Sequence, residues 1–250
     1  MQNRLFCNKT YINLYESKSL KSNISSQILY GENFKILFKK KKFLKIKTDY
    51  DNYTGYIKVS KFIDKFKVTH KVSVLKSQIF KNPYNLKKAK TKKFLSFSSK
   101  IGVIKKKKDF IMFENNKWLK KKDIQPINHK NKNINKILKQ FINCKYKWGG
   151  KTFNGVDCSA LLQIFYKFNN KFFPRDTIDQ IKFKKGYKNK KKYKPGDVIF
   201  WKGHVAICIN SKELIHAYGP KKKVVIMKIK ETIKRIEKTA NLKVKKICRI

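Results

Sequence analysis

The sequence is poor in the residues that bend or stiffen a chain, with ten glycines and five prolines among 250 residues. Arginine is scarcer still and occurs only at Arg4, Arg175, Arg235 and Arg249. No apolar run approaches the ~18–20 residues that cross a bilayer, and residues 1–15 contain no apolar stretch followed by a small-residue cleavage site. These absences predict a cytoplasmic protein without membrane insertion or a secretory signal.

Cysteine is present but lacks the spacing of a zinc site or a disulfide framework. The five residues are Cys7, Cys144, Cys158, Cys208 and Cys248. Their number is odd and no two of them form a CxxC pair. One reactive thiol among several buried ones, in a reducing compartment, fits this pattern best. We therefore expect no metal and no cofactor.

Acidic residues are few, so 64 basic and 15 acidic side chains give a net charge of +49. Such an excess can attract nucleic acid. The lysines are spread over every segment, however, and do not form one stripe, which favours a solvated lysine surface. We expect non-specific RNA affinity at low salt, no specific nucleic-acid partner, and a monomer.

The apolar fraction of 41% fits a globular protein. Before Pro126, two groups of short alternating apolar runs are separated by turn signals, which predicts two small β-barrels over residues 1–66 and 67–127. The lysine runs 39–42 and 105–108 are interpreted as hairpin tips. Residues 128–250 combine helical patterns at 133–141 and after Cys158 with four later strands, a helix over 230–239 and a closing strand. This arrangement predicts an α+β fold.

Six of the ten glycines lie between positions 149 and 203, which marks backbone that needs positive φ or close approach to a ligand. Within this stretch, Cys158 is predicted to lie where a loop enters a helix, with Asp157 and Ser159 as cap candidates. A helix N-terminus and a neighbouring imidazolium can lower a thiol pKa from ~8.5 to roughly 3.5–7.5. His204 begins one predicted strand and His216 ends the next, so antiparallel pairing makes them neighbours. They lack a third ligand spaced for a metal.

Several separated pieces of this segment match one family in order. The pieces are YKWGG, GVDCSALL, FPRDT, PGDVIFW, HVAICI and LIHA, and they resemble the NlpC/P60 cysteine peptidase signature over roughly residues 134–227. The resemblance implies a papain-like fold and a catalytic triad of Cys158, His204 and His216. It also implies cleavage of peptidoglycan stem peptides between γ-D-glutamate and a diamino acid.

The resemblance extends to substrate recognition. LYGE at 29–32 and YTGYI at 53–57 resemble the first SH3-like barrel of bacterial members that accept peptides with a free N-terminal L-alanine, as in murein recycling. It implies that Glu32 reads the substrate amine. The candidate substrate-binding residues besides Glu32 are Tyr146, Trp148, Asp157, Ser159, Asp176 and Thr177. Trp148 is interpreted as either core or cleft floor. Arg175, one of four arginines in a chain that uses lysine almost everywhere else, indicates a bidentate or stacked contact.

Two other functions remain open at this stage. A papain-like acyltransferase or amidase forms the same thioester but passes the acyl group to another acceptor. A non-catalytic protein that binds wall polymer or nucleic acid uses only the barrels and the positive charge, and shows salt-dependent binding without thiol reactivity.

Overall fold

The computed structural model describes residues 4–183, 185–187 and 192–249, and the chain forms two compact units. The first unit contains residues 1–130 and 151–153, and the second contains residues 131–150 and 154–250. Within the described ranges, none of the helices has the length and apolar character that spanning a membrane requires.

The first unit begins with a six-stranded sheet. Its strands are β1 (Leu5–Phe6), β2 (Tyr11–Tyr15), β3 (Ile24–Leu29), β4 (Asn33–Lys40), β5 (Phe43–Thr48) and β6 (Thr54–Lys58). They pair antiparallel in the order β1-β4-β5-β6-β2-β3. Alternate side chains point to one face, where Leu14, Ile28, Phe34 and Ile46 form a fully buried core. The β4–β5 turn lies within the lysine run 39–42, as predicted.

The rest of the first unit adds two smaller sheets. The elements are β7 (His70–Val72), β8 (Lys76–Phe80), α1 (Leu86–Ala89), β9 (Lys90–Ser96), β10 (Lys100–Ile101), β11 (Lys105–Lys107), β12 (Phe110–Glu114), β13 (Lys117–Lys120), a 3-10 turn (Lys121–Asp123), β14 (Ile124–Pro126) and β15 (Lys151–Thr152). One sheet has the order β10-β7-β14 and the other β11-β12-β13-β8-β9. β15 lies alongside the edge strand β3, where the Lys151 main-chain N–H donates to Gln27 Oε1 at 2.8 Å.

The second unit places its helices before its main sheet. Its helical elements are α2 (Ile134–Leu138), continued by a 3-10 turn (Lys139–Phe141), then α3 (Cys158–Phe168), α4 (Thr177–Gln180), a 3-10 turn (Gly219–Lys221) and α5 (Ile229–Ala240). The short strand β16 (Gly155–Val156) precedes α3. Because α3 repeats apolar residues at helical spacing, Leu161, Leu162 and Ile164 are buried.

The main sheet of the second unit is antiparallel throughout. Its strands are β17 (Asp197–Trp201), β18 (His204–Cys208), β19 (Glu213–Tyr218), β20 (Lys223–Lys228) and β21 (Lys246–Arg249), in the order β20-β19-β18-β17-β21. α3 packs against β18 and β19. The predicted α+β papain-like class, with SH3-like structure before it, is confirmed. The closing strand, predicted from Leu242 onwards, begins only at Lys246.

Candidate active site

Cys158 is the first residue of α3, and Asp157 is its N-cap. The Asp157 side chain accepts a hydrogen bond from the main-chain N–H of Ala160 at 2.8 Å, which satisfies one of the free donors of the first helical turn. The helix therefore starts where the sequence predicted. The main-chain N–H groups of Val205 and Ser159 both donate to the Cys158 sulfur. The contact with Val205 brings the thiol to the start of β18, next to His204.

The surroundings of Cys158 favour the neutral thiol over the thiolate. Burial, followed by the Asp157 charge, raises the pKa of Cys158 to about 12, although the two main-chain donors and the Arg175 charge lower it in part. From the sequence, the helix N-terminus was expected to lower the pKa of Cys158. That effect is outweighed because only 5% of Cys158 is exposed. The thiol therefore needs an adjacent base before it can attack a substrate.

The two histidines predicted to be neighbours are in contact. β18 begins with His204 after a two-residue turn in which Gly203 has φ +76°, a conformation that favours glycine. His204 Nε2 lies 2.9 Å from His216 Nδ1 on β19. His216 is fully buried and stacks on Tyr218 with ring centroids 4.6 Å apart.

The contacts of the two rings determine where their protons lie. His216 Nε2 is 3.3 Å from Met227 Sδ, and a thioether can accept but cannot donate a hydrogen bond. His216 Nε2 must therefore carry the proton, which leaves Nδ1 as an acceptor. His204 Nε2 then donates to His216 Nδ1, and the free lone pair of His204 is on Nδ1.

Both rings are neutral near pH 7. Burial lowers the pKa of His204 to about 4. Burial, and then the neighbouring His204, lowers the pKa of His216 well below its usual value. The pKa values of Cys158 and His204 thus favour a neutral thiol and a neutral imidazole.

Asp157 and Arg175 form a buried ion pair below the start of α3. Arg175 Nη2 lies 2.5 Å from Asp157 Oδ2, and Arg175 Nη1 lies 3.0 Å from Oδ1 and 2.8 Å from Ser159 Oγ. The Ser159 hydroxyl donates to Asp157 Oδ1, and the Gly149 main-chain N–H donates to Oδ2. The bidentate contact expected of Arg175 is confirmed. This network fixes the loop before α3, the cap and the helix start in one arrangement.

The loop before Asp157 carries two predicted substrate-binding residues. Trp148 is 63% exposed, so the interpretation that it belongs to the core is wrong. At Gly150, a Cβ would lie 2.4 Å from the Gly155 carbonyl oxygen, so the loop can close only with glycine there. Tyr146 lines a cavity together with His204 and Tyr218. Burial, followed by the neighbouring Cys158 and Asp157, raises the pKa of the Tyr146 phenol to about 12, so the hydroxyl keeps its proton and can donate a hydrogen bond.

The other predicted substrate-binding residues lie in different places. Asp176 immediately precedes α4 and Thr177 is its first residue, and both are half-buried. Glu32 lies in the first unit, in the tight turn between β3 and β4, and is 6% exposed. Gly31 has φ +74° there, and a Cβ would overlap the Lys100 carbonyl oxygen. The substrate-binding roles of these residues stay predictions.

Sequence reasoning did not identify Met227, Tyr218 or Arg235, although Met227 and Tyr218 contact His216 and Arg235 lines the cavity beside His204. The first two lack a signal because they lie in ordinary apolar strand patterns. Arg235 had the signal that was used for Arg175, since it is one of four arginines in a lysine-rich chain.

Comparison with protein-family models gives two matches. Residues 143–240 match the NlpC/P60 family, and residues 14–62 match the bacterial dipeptidyl-peptidase Sh3 domain. Members of the NlpC/P60 family are cysteine peptidases. The first match includes the Cys158 helix, both histidines and Arg235, and the second includes Glu32.

Curated relatives agree with these matches. The chain is 25% identical over 234 residues to the γ-D-glutamyl-L-lysine dipeptidyl-peptidase of Bacillus subtilis, covering 84% of this chain and 77% of that protein. It is 30% identical over 89 residues to dipeptidyl-peptidase 6 of Lysinibacillus sphaericus, covering 34% of this chain and 31% of the relative.

Two solved structures share the fold. An NlpC/P60 family protein from Bacillus cereus matches with a TM-score of 0.77 at 18% identity, over 90% of this chain and 94% of its own. An NlpC/P60 endopeptidase from Photobacterium damselae subsp. piscicida matches with a TM-score of 0.62 at 13% identity, over 98% of this chain and 70% of its own. The chain thus carries an NlpC/P60 domain preceded by a bacterial dipeptidyl-peptidase SH3 domain.

Proposed function

We propose that this protein is a cysteine peptidase that hydrolyses the bond between γ-D-glutamate and a diamino acid in peptides derived from peptidoglycan. The observation that carries the proposal is the grouping of Cys158, at the start of α3, with the His204–His216 pair, whose ring nitrogens lie 2.9 Å apart. Cys158 is the nucleophile, His204 the base, and His216 orients His204.

Acylation uses the neutral thiol and the neutral imidazole. His204 Nδ1 takes the Cys158 proton as the sulfur attacks the γ-glutamyl carbonyl carbon. The resulting His204 imidazolium keeps its Nε2 proton and donates it in a hydrogen bond to His216 Nδ1. His216 Nδ1 can accept this bond because His216 is neutral. The Cys158 main-chain N–H has no intrahelical acceptor at the first helical position, so it can donate to the oxyanion.

The tetrahedral intermediate then breaks toward the products. The carbon–nitrogen bond breaks as His204 transfers its proton to the leaving amine, and a thioester remains on Cys158. Water attacks this thioester and gives one proton to His204, after which the carbon–sulfur bond breaks. The thiolate recovers that proton, and the γ-carboxylate of glutamate is released.

The choice of bond and of peptide is supported by the relatives. A relative that covers most of the chain is named for γ-D-glutamyl-L-lysine dipeptides, and the matched SH3 model is named for dipeptidyl-peptidases. An enzyme that removes dipeptides must recognise a free N-terminal amine, and a carboxylate is the natural partner for it. We assign this role to Glu32. Free L-alanine termini arise after stem peptides leave the glycan, which fits recycling in the cytoplasm.

The test is hydrolysis of L-Ala-γ-D-Glu-L-Lys beside its N-acetylated form, followed by mass spectrometry. Cleavage of the free-amine peptide alone is expected, with the dipeptide L-Ala-D-Glu as one product. The Glu32→Gln variant should lose the preference for the free amine, while the wild-type melting temperature is retained. Equal cleavage of both peptides by the wild type would mean that the bond is assigned correctly and the role of Glu32 is not.

An acyltransferase on the same scaffold is the second candidate, because a thioester on Cys158 is common to both reactions. Failure to hydrolyse either peptide, with a Cys158 thiol that still reacts with iodoacetamide, would favour it. A protein that only binds wall polymer would be indicated by salt-dependent binding that the Cys158→Ala substitution leaves unchanged.

A further inference from the structure

A cavity of about 380 Å³ extends from His204 within the second unit. Tyr146, His204 and Arg235 of α5 line it. Gly219 and Pro220 also line it, and a Cβ at Gly219 would lie 3.8 Å from the Tyr146 ring. Cys158 is not among the lining residues, so the thiol itself lies outside the cavity.

Arg235 is the one residue with a permanent charge among those that line this cavity. In the described part of the chain, none of the ion pairs includes Arg235. Glu231, one turn earlier on α5, pairs instead with Lys228 at 3.0 Å. A guanidinium without a protein carboxylate, facing a cavity next to a general base, is suited to a carboxylate of a ligand.

The position of the cavity identifies the part of the substrate that enters it. During acylation the leaving amine must approach His204 closely enough to accept its proton. Because His204 lines the cavity, the rest of the leaving group can extend into it. The acyl part of the substrate remains on the thiol, outside this cavity.

We propose that Arg235 binds a carboxylate of the leaving diamino acid and makes it a specificity determinant of the leaving-group side. This inference rests on the proposed peptidase function. Two carboxylates have the required chemistry: the C-terminal α-carboxylate of a tripeptide, and the side-chain carboxylate of diaminopimelate. Arginine suits this role because its fork binds both oxygens of a carboxylate, whereas lysine offers a single point charge.

The test compares kcat/KM for three tripeptides that begin with L-Ala-γ-D-Glu. They end in L-lysine, in L-lysine amide, or in diaminopimelate amidated at its α-carboxyl group. The wild type should cleave the lysine acid on the order of tenfold faster than its amide, as expected for one charge-assisted contact. Rapid cleavage of the diaminopimelate amide would identify the side-chain carboxylate as the group bound.

The Arg235→Gln variant should lose the preference for the acid and leave the lysine amide unchanged, and Arg235→Lys should restore part of it. Lys238→Gln is the matched control, because Lys238 is exposed on the same helix and does not line the cavity. Equal losses on all three peptides in Arg235→Gln would overturn the role of Arg235, and so would a wild type that cleaves the lysine acid and the diaminopimelate amide no faster than the lysine amide. In either case the observed hydrolysis would still uphold the peptidase function. A wild type that cleaves none of the three would remove both.

Discussion

His216 Nε2 and Met227 Sδ lie 3.3 Å apart on adjacent strands, and this contact determines the proton positions of the candidate site. Sulfur offers no hydrogen, so the shared proton belongs to His216. Because His216 Nδ1 then has no proton and accepts, His204 Nε2 carries the proton of their hydrogen bond. The unprotonated Nδ1 of His204 is therefore the base. A weak acceptor on β20 thus controls the protonation of a residue on β18, two strands away in the sheet.

Replacing Met227 by leucine keeps the volume and removes this acceptor. We expect kcat/KM to fall roughly tenfold, the equivalent of one neutral hydrogen bond, with little change in KM. Met227→Gln, whose amide oxygen can accept, should recover part of the loss. Nitrogen NMR of the two rings should show a mixture of tautomers in the leucine variant. Met112→Leu is the control for a methionine-to-leucine change, because Met112 is a half-buried methionine of the first unit. Unchanged tautomers in Met227→Leu would contradict the prediction.

Cys158→Ala should abolish hydrolysis. Because the change removes one buried sulfur atom and no ion pair, the melting temperature should shift by only a few degrees. Cys144→Ala is the matched control, since Cys144 is also buried and lies in the same unit. Residual turnover in Cys158→Ala, measured with the free-amine tripeptide, would show that the nucleophile is another residue.

The pH dependence of alkylation tests whether the resting pair is neutral. Burial raises the pKa of Cys158 to about 12, so its reaction with iodoacetamide should accelerate continuously from pH 6 to pH 10 without a plateau. Hydrolysis should persist in mild acid and decline as the pH falls through about 4, where His204 becomes protonated. A plateau of alkylation near pH 6 would instead indicate a resting thiolate–imidazolium pair.

Both histidines should also make folding sensitive to acid. Their pKa values are lower in the folded protein than the ~6.5 of an unfolded chain, so the unfolded state binds more protons as the pH drops below that value. The free energy of unfolding should fall between pH 6.5 and 4, by up to about 1.4 kcal/mol per pH unit for each histidine. Urea titrations of His216→Gln should show a shallower pH dependence of the free energy of unfolding than those of the wild type.

Arg175→Lys should destabilise the fold because lysine cannot make both contacts with Asp157. Breaking a buried ion pair costs about 3–5 kcal/mol, and the remaining lysine charge should reduce this loss to roughly 2–3 kcal/mol in chemical denaturation. Arg4→Lys provides the comparison, since the Arg4 side chain is 63% exposed in its pair with Asp49 and should change stability by less than about 1 kcal/mol. Equal effects of the two substitutions would mean that burial does not strengthen the Arg175 contact.

Local signals predicted the parts of the fold with a clear period. The helix after Cys158 and the hairpin tip at residues 39–42 were found because apolar spacing and lysine runs mark them directly. β9 (Lys90–Ser96) was missed because five of its seven residues are lysine, threonine or serine, a composition typical of a loop. Its strand character comes from pairing with β8, a tertiary contact.

In the candidate site, too, some features follow from local sequence patterns and others depend on tertiary contacts. The neighbouring positions of His204 and His216 follow from the antiparallel pairing of two strands joined by a short turn. The raised pKa of Cys158 does not follow from its position, because sequence shows the helix start but not how deeply the sulfur is buried. The Met227 contact likewise depends on the register between β19 and β20, which no local pattern defines.

The strand β15 makes the first unit discontinuous along the chain, and this affects how the protein can be made and divided. A ribosome that has released residues 1–130 has not yet released the segment that donates to Gln27 and places Phe153 against Phe94 at 5.7 Å. A fragment ending at Lys130 would therefore leave the edge of β3 open to pairing with other chains. We expect such a fragment to self-associate at micromolar concentration, which analytical ultracentrifugation can measure. Adding a peptide that supplies residues 151–153 should reduce this association. Completion of the first unit must wait for part of the second to be synthesised.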